Sequence, residues 1–476
     1  MAAERLSAQD AALWCAQDPQ APLLIGAVCL FERGPLANPD GSLRIDDLRR
    51  HLESRLHLVP RFRRRLAPIP GGQGRPLWVD DTEFDIENHA HTAVLPAPGG
   101  ERELHAFVEE LLAEPLDPRH PLWELWTLDG LEGDRVAIIP KVSHVMADGL
   151  ALLGFALAIL DFDPDVAPTE PPEWRPEPAP SGPRLLTDAL VDQARTLMGG
   201  ALGAARALTR PDRLGSDLAA LGRAAASTAT LAPRLTINRP VGARRGFLQL
   251  QLPLEDLLAV KKAADVTFND VALTVTTIAL HRYLRGQGEH PPRTRPRVLI
   301  PVSTHGTNPE GEIENRFSQM VADLPGPEVP PAECLAQIHA EMVRRKASAQ
   351  ADLGPLLYSL ATIMPSWMLG RLAPVLLRNQ PFVNLAVSDL PGSRDRLYLM
   401  GARMLELVPF ITCTGNMALM IGVLSYVDTL GVGITVDPDV VSDVEALGDA
   451  LRWASDELTR AVRPATFEDP TELDLA

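Results

Sequence analysis
From residue 1 to about 160, short apolar runs alternate with stretches whose apolar positions recur at helical spacing, which predicts a mixed α/β unit. Val136-Ala137-Ile138-Ile139 reads as a strand. Behind it, Asp148-Gly149 and the apolar stretch Leu150 to Leu160 read as a turn opening a helix. The α/β pattern resumes at Phe247 and runs to a last helix near Val444 to Ala461. Met417 to Val436 is the longest apolar stretch, but it carries Asp428, Gly422, Gly431 and Gly433. Two strands and a turn explain it better than a membrane span.

Between these halves the pattern breaks. Pro164 to Pro180 holds seven prolines in seventeen residues, which excludes helix and central strand and predicts an exposed connector. Residues 181 to 245 contain ten Arg, four Asp, no Lys and no Glu, a local charge of +6 in a chain of −17. Leu186, Leu190 and Leu197 share a helical face there, and Gly199-Gly200 interrupts it. Two readings stay open for this segment: a basic helix reaching a membrane or lipid-droplet surface, and a helix packed across the two halves. The expected division is therefore an N-terminal domain of residues 1–163, a crossover of 164–245 and a C-terminal domain of 246–476.

Composition narrows the function. A chain of 476 residues, 46% hydrophobic, suits two cores rather than one. The charge of −17 argues against nucleic acid as a partner. Cys15, Cys29, Cys334 and Cys413 have neither CxxC nor Cys/His spacing, so no zinc site or disulfide framework is expected and a reducing cytoplasm fits. The start, Met1-Ala2-Ala3-Glu4-Arg5, has no basic-then-apolar signal pattern.

The chemistry concentrates at Ser143-His144-Val145-Met146-Ala147-Asp148-Gly149. A His at a strand end, with an ordinary pKa of about 6.5, is placed to act as a general base. His144 and Asp148 do not form a triad pair, because a sharp strand-to-turn change separates them. Gly149 allows close backbone approach or a positive φ. Asn269-Asp270 reads equally as a helix cap and as support for a site. Ser388 reads first as a turn hydroxyl and second as an oxyanion donor. Pro121-Leu122-Trp123 reads either as the wall of an acyl channel or as core. Arg61, Arg63, Arg64 and Arg65 read first as a solvated face and second as a CoA-phosphate site. His89, His91, His105 and His120 lack metal-like spacing with carboxylates. Pro70-Gly71-Gly72-Gln73-Gly74 is a turn, not a phosphate loop.

The central segment resembles the HHxxxDG signature of the CoA-dependent acyltransferase superfamily, with Ser143 in place of the first His. Leu6-Ser7-Ala8-Gln9-Asp10, Pro60-Arg61-Phe62-Arg63, Pro115-Leu116-Asp117, Pro121-Leu122-Trp123-Glu124, Asn269-Asp270-Val271, Pro301-Val302-Ser303 and Ser388-Asp389-Leu390-Pro391-Gly392 follow in order. Together they resemble the bacterial wax ester synthase/diacylglycerol acyltransferase family over nearly the whole chain. Two further departures are Asp389 for an Asn, and Pro22-Leu23-Leu24-Ile25-Gly26 where that family has PMHxG.

The resemblance implies an α/β fold of two chloramphenicol-acetyltransferase-like domains, each a mixed sheet with helices, and a tunnel between them. It implies that His144 is the catalytic base, that Asp148 salt-bridges an Arg and that Asn269-Asp270 supports the site. The expected substrates are acyl-CoA and a diacylglycerol or long-chain alcohol, giving triacylglycerol or wax ester without metal or redox cofactor. Two alternatives accompany this reading. One is a same-fold enzyme acylating a polyketide or glycolipid alcohol. The other is a catalytically degenerate lipid-binding protein, for which Ser143 is the only support.

Overall fold
The computed structural model describes residues 4–70, 74–147, 149–167, 169–189, 191, 198, 231–289, 295–303, 317–347 and 366–462. The first half supplies β1 (Glu4–Arg5), α1 (Ala8–Ala16), β2 (Leu24–Glu32), α2 (Ile45–Arg55), β3 (Arg64–Ala67), β4 (Leu77–Asp80), β5 (Ala90–Val94), α3 (Glu101–Ala113), β6 (Trp123–Leu131), β7 (Arg135–Ser143) and α4 (Gly149–Ile159). The second supplies β8 (Gly246–Pro253), α5 (Leu254–Ala264), α6 (Phe268–Gly286), β9 (Arg297–Ser303), β10 (Phe317–Asp323), α7 (Pro331–Ala347), α8 (Ser366–Arg378), β11 (Leu385–Leu390), β12 (Tyr398–Leu399), β13 (Ala402–Ile411), β14 (Leu419–Tyr426), β15 (Thr429–Val436) and α9 (Val444–Val462).

Two six-stranded mixed sheets carry the fold, with a small sheet β1-β4-β3 beside the first. The second sheet runs β10-β9-β11-β14-β15-β8 and uses only residues of the second half. The first runs β12-β13-β2-β7-β6-β5. Its strands β12 and β13 come from residues 398–411, and β13 pairs antiparallel with β2 from Ile411↔Ile25 to Met404↔Phe31. That is a finding beyond the sequence reading, which kept residues 246–476 together. Nothing in the alternation along β13 says which sheet will take its edge.

Glycines let β13 lie directly against the second sheet. A Cβ on Gly431 would stand 2.0 Å from Leu407 O, and one on Gly433 would stand 1.8 Å from Pro409 O. No side chain fits at such distances, so Gly431 and Gly433 are there for close backbone approach. The expected pair of strands is present, joined by a turn at Val427-Asp428.

β7 is buried nearly throughout and has a core on each face. Val136, Ile138 and Val142 join the core under α2 and α4, whereas Ala137 and Ile139 face α3 and Phe247. A strand sandwiched in this way needs a continuous apolar run, which is why Val136–Ile139 stood out in the sequence. Among its described residues the connector forms no helix or strand and is mostly exposed. Trp174 nonetheless pins it, lying 5.0 Å from the Arg63 guanidinium and edge-on to Phe84. Beyond it, Leu185 and Ala189 pack on Ala67, Ile69, Leu77 and Val79. Leu190, Leu197 and most of the basic segment lie outside the described residues.

Candidate active site at the end of β7
β7 ends at Ser143, and the chain turns at once: the Met146 N–H donates to Ser143 O at 2.8 Å. Val145, Met146 and Ala147 sink into the first core, which anchors the turn from below. His144 itself is only partly buried. Its backbone N–H donates to Leu23 O at 3.0 Å, and the Ser143 N–H donates to Leu122 O at 3.0 Å. Two backbone bonds thus clamp the His loop between the approach to β2 and the Pro121-Leu122-Trp123 segment. Asp148, and with it the ion pair expected of it, lies outside the described residues.

Much of what steadies this loop comes from the second half of the chain. Arg378 Nε pairs with Asp18 Oδ2 at 3.1 Å. Arg245 is buried and donates to Gln20 O at 2.9 Å. The Thr412 hydroxyl donates to Pro22 O at 2.6 Å and accepts from the Leu24 N–H at 2.8 Å. These three residues hold residues 18–24, which in turn receive the His144 N–H. Sequence reasoning missed all three, since no spacing links residues more than two hundred positions apart.

Ser143 is buried, and its hydroxyl accepts from Gln17 Nε2 at 3.2 Å. It ties the end of α1 to the His loop. Gly149 opens α4 where the second sheet arrives: a Cβ there would meet Leu390 Cδ1 at 2.5 Å. Gly149 has no positive φ, and its close neighbour is the Leu390 side chain. Leu390 ends β11, which carries Ser388 and Asp389, so this strand end and the His144 loop come together. Ser388 lies within β11, in parallel register with Gly422. It is therefore a buried strand residue and not the turn hydroxyl first expected. Burial pushes the Asp389 carboxyl up to about 6.

Trp123 is in the core. Its Nε1 donates to Phe62 O at 2.8 Å, and it packs against Phe62, Phe155 and His89. His89 shares a bond of 2.8 Å between Nδ1 and Trp123 O, and burial holds its ring down to about 4, so it stays neutral at pH 7. Pro121 and Leu122 are buried with it. The arginine run is not a solvated face. Arg64 is buried and pairs with Asp80 and Glu4, Arg61 pairs with Glu4, and Arg63 is buried between Phe84 and Trp174.

Asn269 and Asp270 stand at the start of α6. Thr267 caps that helix, and Asp270 returns the bond by accepting from the Thr267 N–H at 2.9 Å. The same carboxylate oxygen lies 2.8 Å from His339 Nδ1 on α7. These contacts join α6 to α7, not to the His144 loop. A groove of about 770 Å³ between α6 and α9, lined by His281, Arg282 and Trp453 among others, shares no residue with that loop. Among the described residues, no group of three or more His, Cys, Asp or Glu side chains could hold a metal ion.

This arrangement has known relatives. Residues 6–272 match the family model of the wax ester synthase/diacylglycerol acyltransferase catalytic domain. Residues 313–459 match the C-terminal domain of the same family. The chain belongs to the wax ester synthase/diacylglycerol acyltransferase family. It is thus an acyltransferase by family. A Mycobacterium tuberculosis protein named "probable diacyglycerol O-acyltransferase tgs1" is 31% identical over 94% of this chain and 92% of its own length. The wax ester synthase/diacylglycerol acyltransferase of Marinobacter aquaeolei VT8 superposes with a TM-score of 0.68 at 22% identity, covering 96% of this chain and 99% of that one. The first condensation domain of the CDA synthetase superposes at 0.58 and 16% identity, over 97% of each chain. At such identities the likeness is one of fold: two mixed α/β domains of the acyltransferase type.

Proposed function
We propose that this family member transfers a long-chain acyl group from acyl-CoA to a diacylglycerol or long-chain alcohol, with His144 as general base. The acceptor hydroxyl gives its proton to the imidazole as its oxygen attacks the thioester carbonyl carbon. Collapse of the tetrahedral intermediate breaks the C–S bond, and the imidazolium returns the proton to the departing CoA thiolate. No protein nucleophile is needed when both substrates are bound together. The observation that carries the reading is the placement of His144. It is partly accessible at the end of a buried strand, on a loop clamped at Leu23 and beside the strand end of the second sheet. A tunnel between the sheets, opening on either side of His144, would keep thiol and lipid apart. In this reading Ser388, two residues before the β11 end, faces the same junction, and Pro121-Leu122-Trp123 supports the His loop. The acceptor identifies a lipid surface as the partner.

The test is thiol release and ester formation from palmitoyl-CoA with dioleoylglycerol or hexadecanol. His144→Ala is expected to lower kcat by about 10²-fold or more, the usual worth of a general base, with an unchanged melting temperature. A folded variant that keeps more than about a tenth of the rate would remove His144 from this role. A wild-type chain that turns over neither acceptor, and becomes active only as Ser143→His, would instead mark a degenerate enzyme.

A further inference from the structure
The groove between α6 and α9 carries chemistry that acyl transfer at His144 does not use. It has a volume of about 770 Å³. The Arg282 guanidinium lies 4.2 Å from the centre of the Trp453 ring and so reaches from α6 to α9. One turn along α6, Arg285 donates to Pro327 O at 2.8 Å, and His281 Nε2 lies 2.9 Å from Pro325 O. These two bonds fix residues 325–327 against the helix. Among the described residues neither Arg282 nor Arg285 pairs with a carboxylate. Of the lining carboxylates, Asp449 and Glu457 stand beside arginines of their own helix, Arg452 at 3.2 Å and Arg460 at 2.9 Å. Asp443 caps α9, its Oδ1 accepting the Ala446 N–H at 2.9 Å, and a carboxylate accepts further bonds through its second oxygen. Ile278, Val329 and Ala450 complete an apolar wall.

We propose that this groove binds a nucleoside phosphate. A guanidinium stacked on an indole presents a flat face, and a base stacks on it as it would on another ring. Arg285 spends one N–H on Pro327 and keeps the rest of its fork for phosphate oxygens. The two arginines stand one helical turn apart, similar to the length of the ribose that separates a base from its 5′-phosphate. A carboxylate in the same wall suits ribose hydroxyls, which donate to it, but repels a bare oxyanion. A fatty acyl chain is a poorer fit, because the apolar wall is broken by Thr277, Gln287 and Asp443. Nor is the ligand the reacting CoA. Ile421, Val423, Val432 and Ile434 face the core that holds Leu280 and Leu451, whereas Gly422, Gly431 and Gly433 face β13. The second sheet therefore stands between this groove and the junction where His144 lies.

The test is calorimetric titration of the full chain with AMP, adenosine and inorganic phosphate, carried out with no acyl-CoA present. AMP is expected to bind at least about tenfold more tightly than either of its parts, since base stacking and phosphate contacts each contribute. Arg285→Ala should weaken AMP binding by at least about tenfold and leave adenosine binding unchanged. Trp453→Ala should weaken AMP and adenosine alike, because the platform under Arg282 is lost. Arg282→Lys serves if Trp453→Ala fails to fold: it keeps the charge, loses the flat face and should weaken AMP in the same direction. Turnover of palmitoyl-CoA by these variants should stay within about twofold, since none of the three side chains touches the His144 loop. The proposal is overturned if the wild-type chain binds no AMP, or if the folded variants bind AMP as it does. It is equally overturned if the variants raise the KM for palmitoyl-CoA with kcat unchanged, which would make the groove an outlying part of the CoA path. Binding is read without catalysis, so failure of the acyl-transfer assay and failure of this one are told apart.

Discussion
Ser143-His144 and Asn269-Asp270 are both short polar motifs at the edge of an apolar run, yet the structure surrounds them differently. The first closes a central strand, where the chain must leave the sheet and the next turn is held from outside by Leu23 and Gln17. The second opens a helix whose first turn needs acceptors, and Asp270 supplies one to Thr267 while also meeting His339. A polar residue at a helix start satisfies its own element. One at the end of a buried strand, where two sheets converge, is held by groups from other elements, as Ser143 is by Gln17 and the His144 N–H by Leu23. The difference lies in which backbone groups are short of partners.

Exchanging the roles of the two motifs is the strongest way to break this comparison. His144→Ala should remove activity and leave stability alone, as described above. Asp270→Ala should do the reverse: it loses the reciprocal cap and should cost about 1–2 kcal/mol of unfolding free energy. Turnover per folded molecule should persist, and chemical denaturation beside single-turnover rates reads both. A collapse of the rate in folded Asp270→Ala would put that residue back among the catalytic supports.

Asp389 sharpens the comparison from the second sheet. Its folded pKa of about 6 lies above the unfolded value, so ionisation opposes folding. The associated stability is fully present below about pH 4 and is lost as pH rises through about 6. Asp389→Asn should therefore stabilise the chain at pH 8, by about 1–2 kcal/mol once partial solvent access is allowed for, and leave it unchanged at pH 4. Melting curves at the two pH values check the sign, and equal shifts at both would exclude burial of the charge as the cause.

The smallest effect is expected at Ser143. Removing its hydroxyl leaves Gln17 Nε2 without one acceptor, worth about 1 kcal/mol. Ser143→Ala should lower kcat by less than about tenfold, because the backbone bond from His144 to Leu23 still positions the loop. A larger loss would mean that Gln17, not the backbone, orients the His loop.

Much of the site was legible because it rests on local chemistry. A continuous apolar run ending in a His, followed by a glycine and another apolar run, is a strand, a turn and a helix wherever it folds. The prolines of the connector and the glycine-broken strands of Met417–Val436 follow equally from what single residues allow. The arginine run and Trp123 were less legible, since their burial depends on Glu4, Asp80, Trp174 and Phe62, which no periodicity pairs with them.

The sequence by itself therefore determined the elements, the family and the position of the candidate base, since each depends on residues close together in the chain. Tertiary structure alone decided that β13 crosses to the first sheet. That crossing depends on a partner edge at β2 and on backbone contact with Gly431 and Gly433. It also decided that Arg245, Arg378 and Thr412 hold the segment beneath His144. Hydrogen bonds and close packing act over a few ångströms of space whatever the distance along the chain, so only the folded arrangement could bring these residues to the site.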